Sequence, residues 1–241
     1  MTSTIRLLPD LRADGPTQMA ADDAMLETAS SGTASLRFYQ WEPATLSLGY
    51  FQPADVRLSD PLLASLPWVR RPSGGATIVH HHELTYAIAL PPGEPWQKRG
   101  ESWLCKFHGT IVAALKSFGV ETNTGLCGLE KKLGDVLCFL HHTPGDIIIG
   151  GHKVVGSAQR RLRGATLQHG SILLAQSPHT PALPGIRELS GVSISESAMK
   201  DVILSRMEWK LVASEFSDAE REHISTEVAE RFIQESWNLR R

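Results

Sequence analysis

The spacing of hydrophobic positions changes period along this chain. Residues 17–30 place Met19, Ala20, Leu26 and Ala29 at helical intervals, with Asp22 and Asp23 in the early turns, and predict a first helix. Strand patterns then take over. Leu36, Phe38 and the run Thr45-Leu46-Ser47-Leu48-Gly49 have strand character, broken at Pro43, and another strand is expected over 84–90, ended by Pro91-Pro92. Trp103, Phe107, Ile111, Ala114, Leu115 and Phe118 return to steps of three and four. They predict an amphipathic helix over 102–118 that is closed by Gly119 and backs the sheet.

The second half is read in the same way. Ile147-Ile148-Ile149 is a buried strand, Gly150-Gly151 supplies a tight turn, and Val154-Val155 continues as its partner. Residues 165–174 form a further strand, and a proline-bearing stretch over 178–184 leads to a helical tail. There Ser217 and Glu220 make a capping box ahead of Ile224, Val228 and Phe232. Adjacent hairpins, in place of regular βαβ units, point to the α+β class. Residues 1–241 are expected to form one catalytic-type domain with that helical tail.

Composition narrows the functional classes. With 241 residues and 41% apolar content, the chain can build its own core. A formal charge of -2 argues against bulk nucleic-acid binding, which needs a basic face. No long apolar run marks a membrane span and Met1 to Arg6 has no signal-peptide core, so a soluble, cytoplasmic protein is expected. The cysteines Cys105, Cys127 and Cys138 are odd in number and irregularly spaced, as reduced thiols would be.

Three clusters carry candidate chemistry. Lys153 lies in Gly150-Gly151-His152-Lys153-Val154-Val155-Gly156-Ser157-Ala158, leaving a rigid hairpin where glycine and small residues admit a ligand; a buried ammonium beside a cleft is a functional candidate. Arg70-Arg71-Pro72-Ser73-Gly74-Gly75-Ala76-Thr77-Ile78-Val79-His80 offers two guanidiniums and a glycine pair able to cradle an anion. Arg160, Arg161 and Arg163 form a basic run suited either to a solvated strand end or to acidic carrier domains. His80, His81 and His82 do not predict a metal site, because consecutive strand residues face opposite ways, and Cys138 with His141 and His142 lacks zinc spacing.

These segments, with Met19 to Leu26, Leu36 to Trp41, Thr45 to Tyr50 and Leu167 to Leu174, resemble the lipoate-protein ligase and octanoyltransferase family, whose catalytic domain is related to that of biotin protein ligase. The resemblance implies a mixed, largely antiparallel sheet flanked by helices. It implies an acyl-binding site built from Arg71, Ser73, Gly74, Gly75, Ala76, Thr77, Ile78, Val79 and His80, with Gly156, Ser157, Ala158, His169, Gly170 and Ser171. Cys138-Phe139 upstream of the lysine hairpin, and Ala76 where ligases carry a third glycine, resemble the cysteine-dependent octanoyltransferases. That likeness gives Cys138 as nucleophile and Lys153 as its catalytic partner.

The implied reaction moves octanoyl or lipoyl groups from acyl carrier protein, through a Cys138 thioester, to a lysine of a lipoyl-domain protein: the glycine cleavage H protein or a 2-oxoacid dehydrogenase E2 subunit. Such a transferase needs no cofactor. The alternative is a lipoate-protein ligase using ATP and magnesium through an acyl-adenylate, with Lys153 at the reacting group. A catalytically silent module that binds lipoate or a lipoylated partner is the third possibility.

Overall fold

The computed structural model describes residues 4–93, 95–97, 102–124, 131–132 and 136–241. Cys127 lies outside them. The strands are β1 (Thr4–Leu7), β2 (Leu11–Ala13), β3 (Ser35–Trp41), β4 (Thr45–Leu48), β5 (Trp68–Arg70), β6 (Ile78–His80), β7 (Glu83–Leu90), β8 (Asn123–Thr124), β9 (Lys131–Lys132), β10 (His141–His142), β11 (Ile147–Ile149), β12 (His152–Leu162), β13 (Ala165–Leu173) and β14 (Lys210–Ala213). The α-helices are α1 (Gly15–Ser30), α2 (Pro61–Ala64), α3 (Trp103–Ser117), α4 (Ile186–Ser190), α5 (Glu196–Leu204), α6 (Asp218–Glu227) and α7 (Glu235–Asn238).

Among the described residues, nine strands make one mixed sheet in the order β14-β1-β3-β7-β13-β12-β11-β8, with β2 beside β3. Its centre, from β3 through β7, β13 and β12 to β11, is antiparallel; β1 pairs parallel with both β14 and β3. A smaller sheet, β5-β4-β6, carries the glycine loop on the segment between β5 and β6. The fold is thus the expected α+β arrangement.

Two helical layers cover the large sheet. Helix α3 starts at Ser102, whose hydroxyl caps Cys105 N–H, and puts Phe107, Ile111 and Leu115 into a core with Leu36, Tyr86 and Ile88. Each such side chain contributes about 1.5–3 kcal/mol by leaving water. On the opposite face α1 packs Met19, Met25 and Leu26 against Tyr39, Ala87 and Leu167. Helix α6 begins at the capping box of Ser217 and Glu220 and packs against α1. Because α1 lies between sheet and tail, its polar positions Gln18 and Asp22 are buried as deeply as its apolar ones.

The lysine hairpin forms as its sequence predicts. Gly150 and Gly151 sit at φ 55° and 86°, a left-handed pair that most residues avoid, and link β11 to β12 with Ile148 opposite Lys153.

Candidate active site

A cleft enclosing about 470 Å³, counting the solvent at its mouth, lies where the glycine loop meets strands β12 and β13. Its wall takes Arg71, Gly74, Gly75, Ile78 and His80 from the loop, Gly156, Ser157 and Ala158 from β12, and His169, Gly170 and Ser171 from β13. Cys138 and Phe139 close it from one side. The backbone explains how residues so distant in sequence meet. Cys138 N–H donates to Thr77 O at 2.7 Å and Thr77 N–H donates to Val136 O at 2.9 Å, so the cysteine turn is stitched to the end of the glycine loop.

Lys153 reaches Cys138 from behind this wall. Its Nζ lies 3.8 Å from Sγ, donates to His141 O at 3.2 Å and pairs with Asp146 at 2.9 Å, with both charged side chains 3% exposed. Asp146 is held in turn by the N–H and hydroxyl of Thr143. The ammonium has room only because residue 156 is glycine: a β-carbon there would come within 2.4 Å of Lys153 Cε and 2.8 Å of Nζ. A cation with its own counter-ion, one donor from a partly exposed thiol, can accompany negative charge on the sulfur or on a carbonyl oxygen bound beside it.

Arg71 supplies a second positive charge. Burial pushes its guanidinium below the ordinary range, with Cys138, Tyr39 and Glu83 acting in the opposite direction. Its terminal nitrogens bind Ser47 and the carbonyls of Gly74 and Ala76, and its Nε is buried with no partner among the described residues.

Two hydrogen-bonded chains fix the polar wall. His169 donates from Nδ1 to Asp22 at 2.7 Å, so its Nε2 accepts from the Ser73 hydroxyl at 2.6 Å. Burial by itself would raise Asp22, but the Arg37 guanidinium at 2.6 Å, with His169, outweighs it and holds the carboxyl below its usual range. In the second chain His108 donates to Gly145 O at 2.6 Å and accepts from Ser157 at 2.5 Å, and Tyr86 donates to Ser157. Burial lowers His108, which keeps it neutral, and pushes Tyr86 up to about 12, which keeps its proton in place to donate.

A profile of the lipoyl protein ligase A/B catalytic domain matches residues 14–200. The chain belongs to this family. Among relatives, an octanoyltransferase LipM of Lysinibacillus sphaericus is 34% identical over 207 residues, spanning 81% of this chain and 72% of its own. The LipM of Kyrpidia tusciae is 29% identical over 275 residues, spanning 99% of both. In structure, a lipoate-protein ligase A bound with ATP superposes with a TM-score of 0.78 at 21% identity over 98% of this chain and 99% of that one. Protein Ta0514 of T. acidophilum with bound lipoic acid gives 0.81 at 19%, over 99% and 100%. The structural likeness establishes the lipoyl-ligase fold.

Not every residue read from the family pattern faces the cleft. Ser73 turns its hydroxyl to His169, Ala76 contributes its carbonyl to Arg71, and Thr77 gives its backbone to the cysteine turn and its hydroxyl to Gln52. Val79 packs on the other side with Leu46 and Leu48. Both guanidiniums expected to cradle an anion are buried and bonded to the protein's own oxygens, and of the two it is Arg71 that borders the cleft. Arg70 is fully buried, and its nitrogens are committed to carbonyls of Asn238, Gly49, Tyr50 and Gln52, which pin the tail to the small sheet.

The histidine run also differs from a simple alternating strand. His80 binds Glu83 and Ser47 and stacks on Trp41, whereas His81 and His82 leave the strand and stack on each other at 3.8 Å. Elsewhere, Asp23, His223 and Glu227 bring ligand atoms within 4.8 Å, but Arg160 and Arg231 already pair with Asp23. Within the basic run, Arg160 thus serves Asp23 and Arg163 pairs with Glu27 at 3.0 Å, so two of its three charges are compensated inside the protein.

Sequence reading missed Asp22, Asp146, His108, Tyr86 and Glu83. Asp146 had a signal: a buried lysine requires a carboxylate, and Thr143-Pro144-Gly145-Asp146 is a turn adjoining its hairpin. Asp22 and the run Glu83-Leu84-Thr85-Tyr86 lie in stretches that resemble the family, the latter its transferases, but the resemblance gave these side chains no role, and His108 sits at an ordinary position of α3.

Proposed function

We propose that this chain is an octanoyltransferase of lipoate assembly, in which Cys138 is acylated and Lys153 assists. The observation that carries the reading is the thiol of Cys138 at 3.8 Å from the Lys153 ammonium, inside a cleft rich in small residues. The LipM relatives, octanoyltransferases by name, support transfer of an octanoyl group. Cys138 thiolate attacks the thioester carbonyl of octanoyl-acyl carrier protein. The proton that Cys138 gave up in forming the thiolate passes to the carrier's sulfur, which leaves as a thiol, and the acyl group stays on Cys138 Sγ. The amine of a lipoyl-domain lysine then attacks this second thioester; an amide forms, the amine gives up a proton and Cys138 returns as thiol. Donors at the tetrahedral oxygen, Lys153 among them, contribute about 2.7–4 kcal/mol each in comparable sites.

Thioester to amide runs downhill, so this reading requires no ATP or magnesium; the ligase reading requires both. Lipoyl-domain proteins are the acceptor class, and among the described residues no helix is long and apolar enough to cross a membrane. The deciding experiment weighs the intact enzyme after incubation with octanoyl-acyl carrier protein, and separately supplies free octanoate with and without ATP. An octanoyl adduct absent from Cys138→Ala supports the transferase. An unmodified mass together with ATP-dependent use of free octanoate would establish the ligase instead.

A further inference from the structure

Exposed apolar side chains and guanidiniums gather at the mouth of the cleft. Phe51 is 67% exposed, yet its ring lies 3.9 Å from where a side chain on the cleft-lining Gly74 would begin. Tyr50 meets Phe51 edge-on at 4.9 Å, and Arg240 and Arg241 lie over these rings at 4.5 Å and 5.2 Å. Arg241 also borders a shallow groove of about 690 Å³, counting the open solvent above it, floored by Pro53, Leu58 and Leu239 and edged by Arg57. Leu58 and Leu239 are 57% and 49% exposed. Apolar surface of this kind, rimmed by charge, marks an interaction site.

The charge on the rim says what fits it. Arg57, Arg240 and Arg241 rest on aromatic rings and, among the described residues, make no ion pair with a carboxylate; Asp55 is the acid on the groove. Arg240 and Arg241 stand near enough to lower the buried Arg70 further, after burial itself. By contrast, Arg160 and Arg163 of the strand-end run are already paired.

We propose that this face, Phe51 with Arg57, Leu58, Leu239, Arg240 and Arg241, docks the acidic protein that delivers the acyl chain as a thioester. The inference rests on the transferase reading. A donor presents a neutral thioester on an anionic carrier, which the clustered guanidiniums attract, and the apolar groove seats the carrier's apolar contacts. Phe51 then marks where the acyl chain passes from carrier to cleft.

The test measures the second-order rate of Cys138 acylation from two donors: octanoyl-acyl carrier protein and the uncharged octanoyl-N-acetylcysteamine. In Arg57→Glu/Arg240→Glu/Arg241→Glu the rate from the carrier falls about tenfold or more and loses most of its salt dependence, because rim charges act through encounter. The rate from the small donor, which also reports an intact fold, stays unchanged. Arg161→Glu leaves both rates unchanged. Should the triple variant lose the small-donor rate, Arg57→Gln/Arg240→Gln repeats the comparison. A carrier rate insensitive to these changes overturns the docking site, as does equal slowing by Arg161→Glu or slowing confined to transfer onto the acceptor lysine. Failure of the unaltered enzyme to be acylated by either donor overturns the transferase reading, and the docking site with it.

Discussion

Two buried ion pairs flank the cleft and are used in opposite ways. Arg37 and Asp22, at 2.6 Å and both fully buried, form a network in which each guanidinium nitrogen has a partner: the guanidinium also binds Gln18 through its side chain and carbonyl, while Asp22 also accepts from His169 and Tyr39. Lys153 and Asp146, at 2.9 Å, are nearly as buried, but the ammonium keeps one long contact with a partly exposed thiol. A planar fork bonded at each nitrogen is a fastener; a compact charge on a long stem can follow a reacting group. The Arg37–Asp22 network holds the wall in place, and Lys153 is aimed at the thiol from behind it.

Breaking the fixed pair has the largest expected effect. Asp22→Asn leaves Arg37 buried without its counter-charge and costs about 3–5 kcal/mol, read as a drop in the urea midpoint. Asp22 is held below its usual range, so its contribution is complete above about pH 4 and is lost as pH falls through the folded value. The variant should lose that acid-dependent portion of stability. A loss below 1 kcal/mol would show that the network is not the fastener described.

Disturbing the working pair should leave the fold intact. Gly156→Ala pushes on the far end of Lys153 and turns it from Cys138, so kcat falls about 10²-fold, and Tm falls by less than in Asp22→Asn if the ammonium keeps Asp146. An active Gly156→Ala would mean that the ammonium need not lie where it does.

His108 connects α3 to the turn carrying Asp146, and His108→Asn is expected to cost about 1–3 kcal/mol. Burial lowers His108 and also His80, the latter partly opposed by Glu83. For such groups stability is full above the unfolded value, about pH 6.5, and declines as pH falls from there towards the folded value. His108→Asn should flatten part of that decline and leave the share due to His80; an unaltered slope would assign it elsewhere.

The smallest effect belongs to the surface. Arg163 is 70% exposed in its side chain and pairs with Glu27, so Arg163→Gln should change stability by no more than about 0.5 kcal/mol by calorimetry. A larger loss would make that strand end part of the fastening network.

Much of this architecture is legible in the chain because it rests on local rules. The spacing of Phe107, Ile111 and Leu115, the Ser217–Glu220 box and the Gly150–Gly151 turn each specify an element before any tertiary contact forms. Strands β1 and β14 were not legible: each is four residues long, and they pair across more than two hundred positions. The docked helix α5 likewise carries too short a pattern to announce which face is buried. For the site, Cys138, Lys153 and the glycine loop were evident as residue types in order. The commitment of Arg70 to the tail and of Arg160 to Asp23 was not, because a guanidinium reads the same whether it meets solvent, an anion or a carbonyl.

The sequence by itself determined the family, the central elements and the presence of a thiol and a lysine in one acyl-transfer pattern, since turns, caps and periodicity act over a few residues. Only the tertiary structure decided which charges are spent on holding the wall and which remain to act. Register across β7, β13 and β12, and the packing of α1 and α3, set the distances on which hydrogen bonding and electrostatics depend.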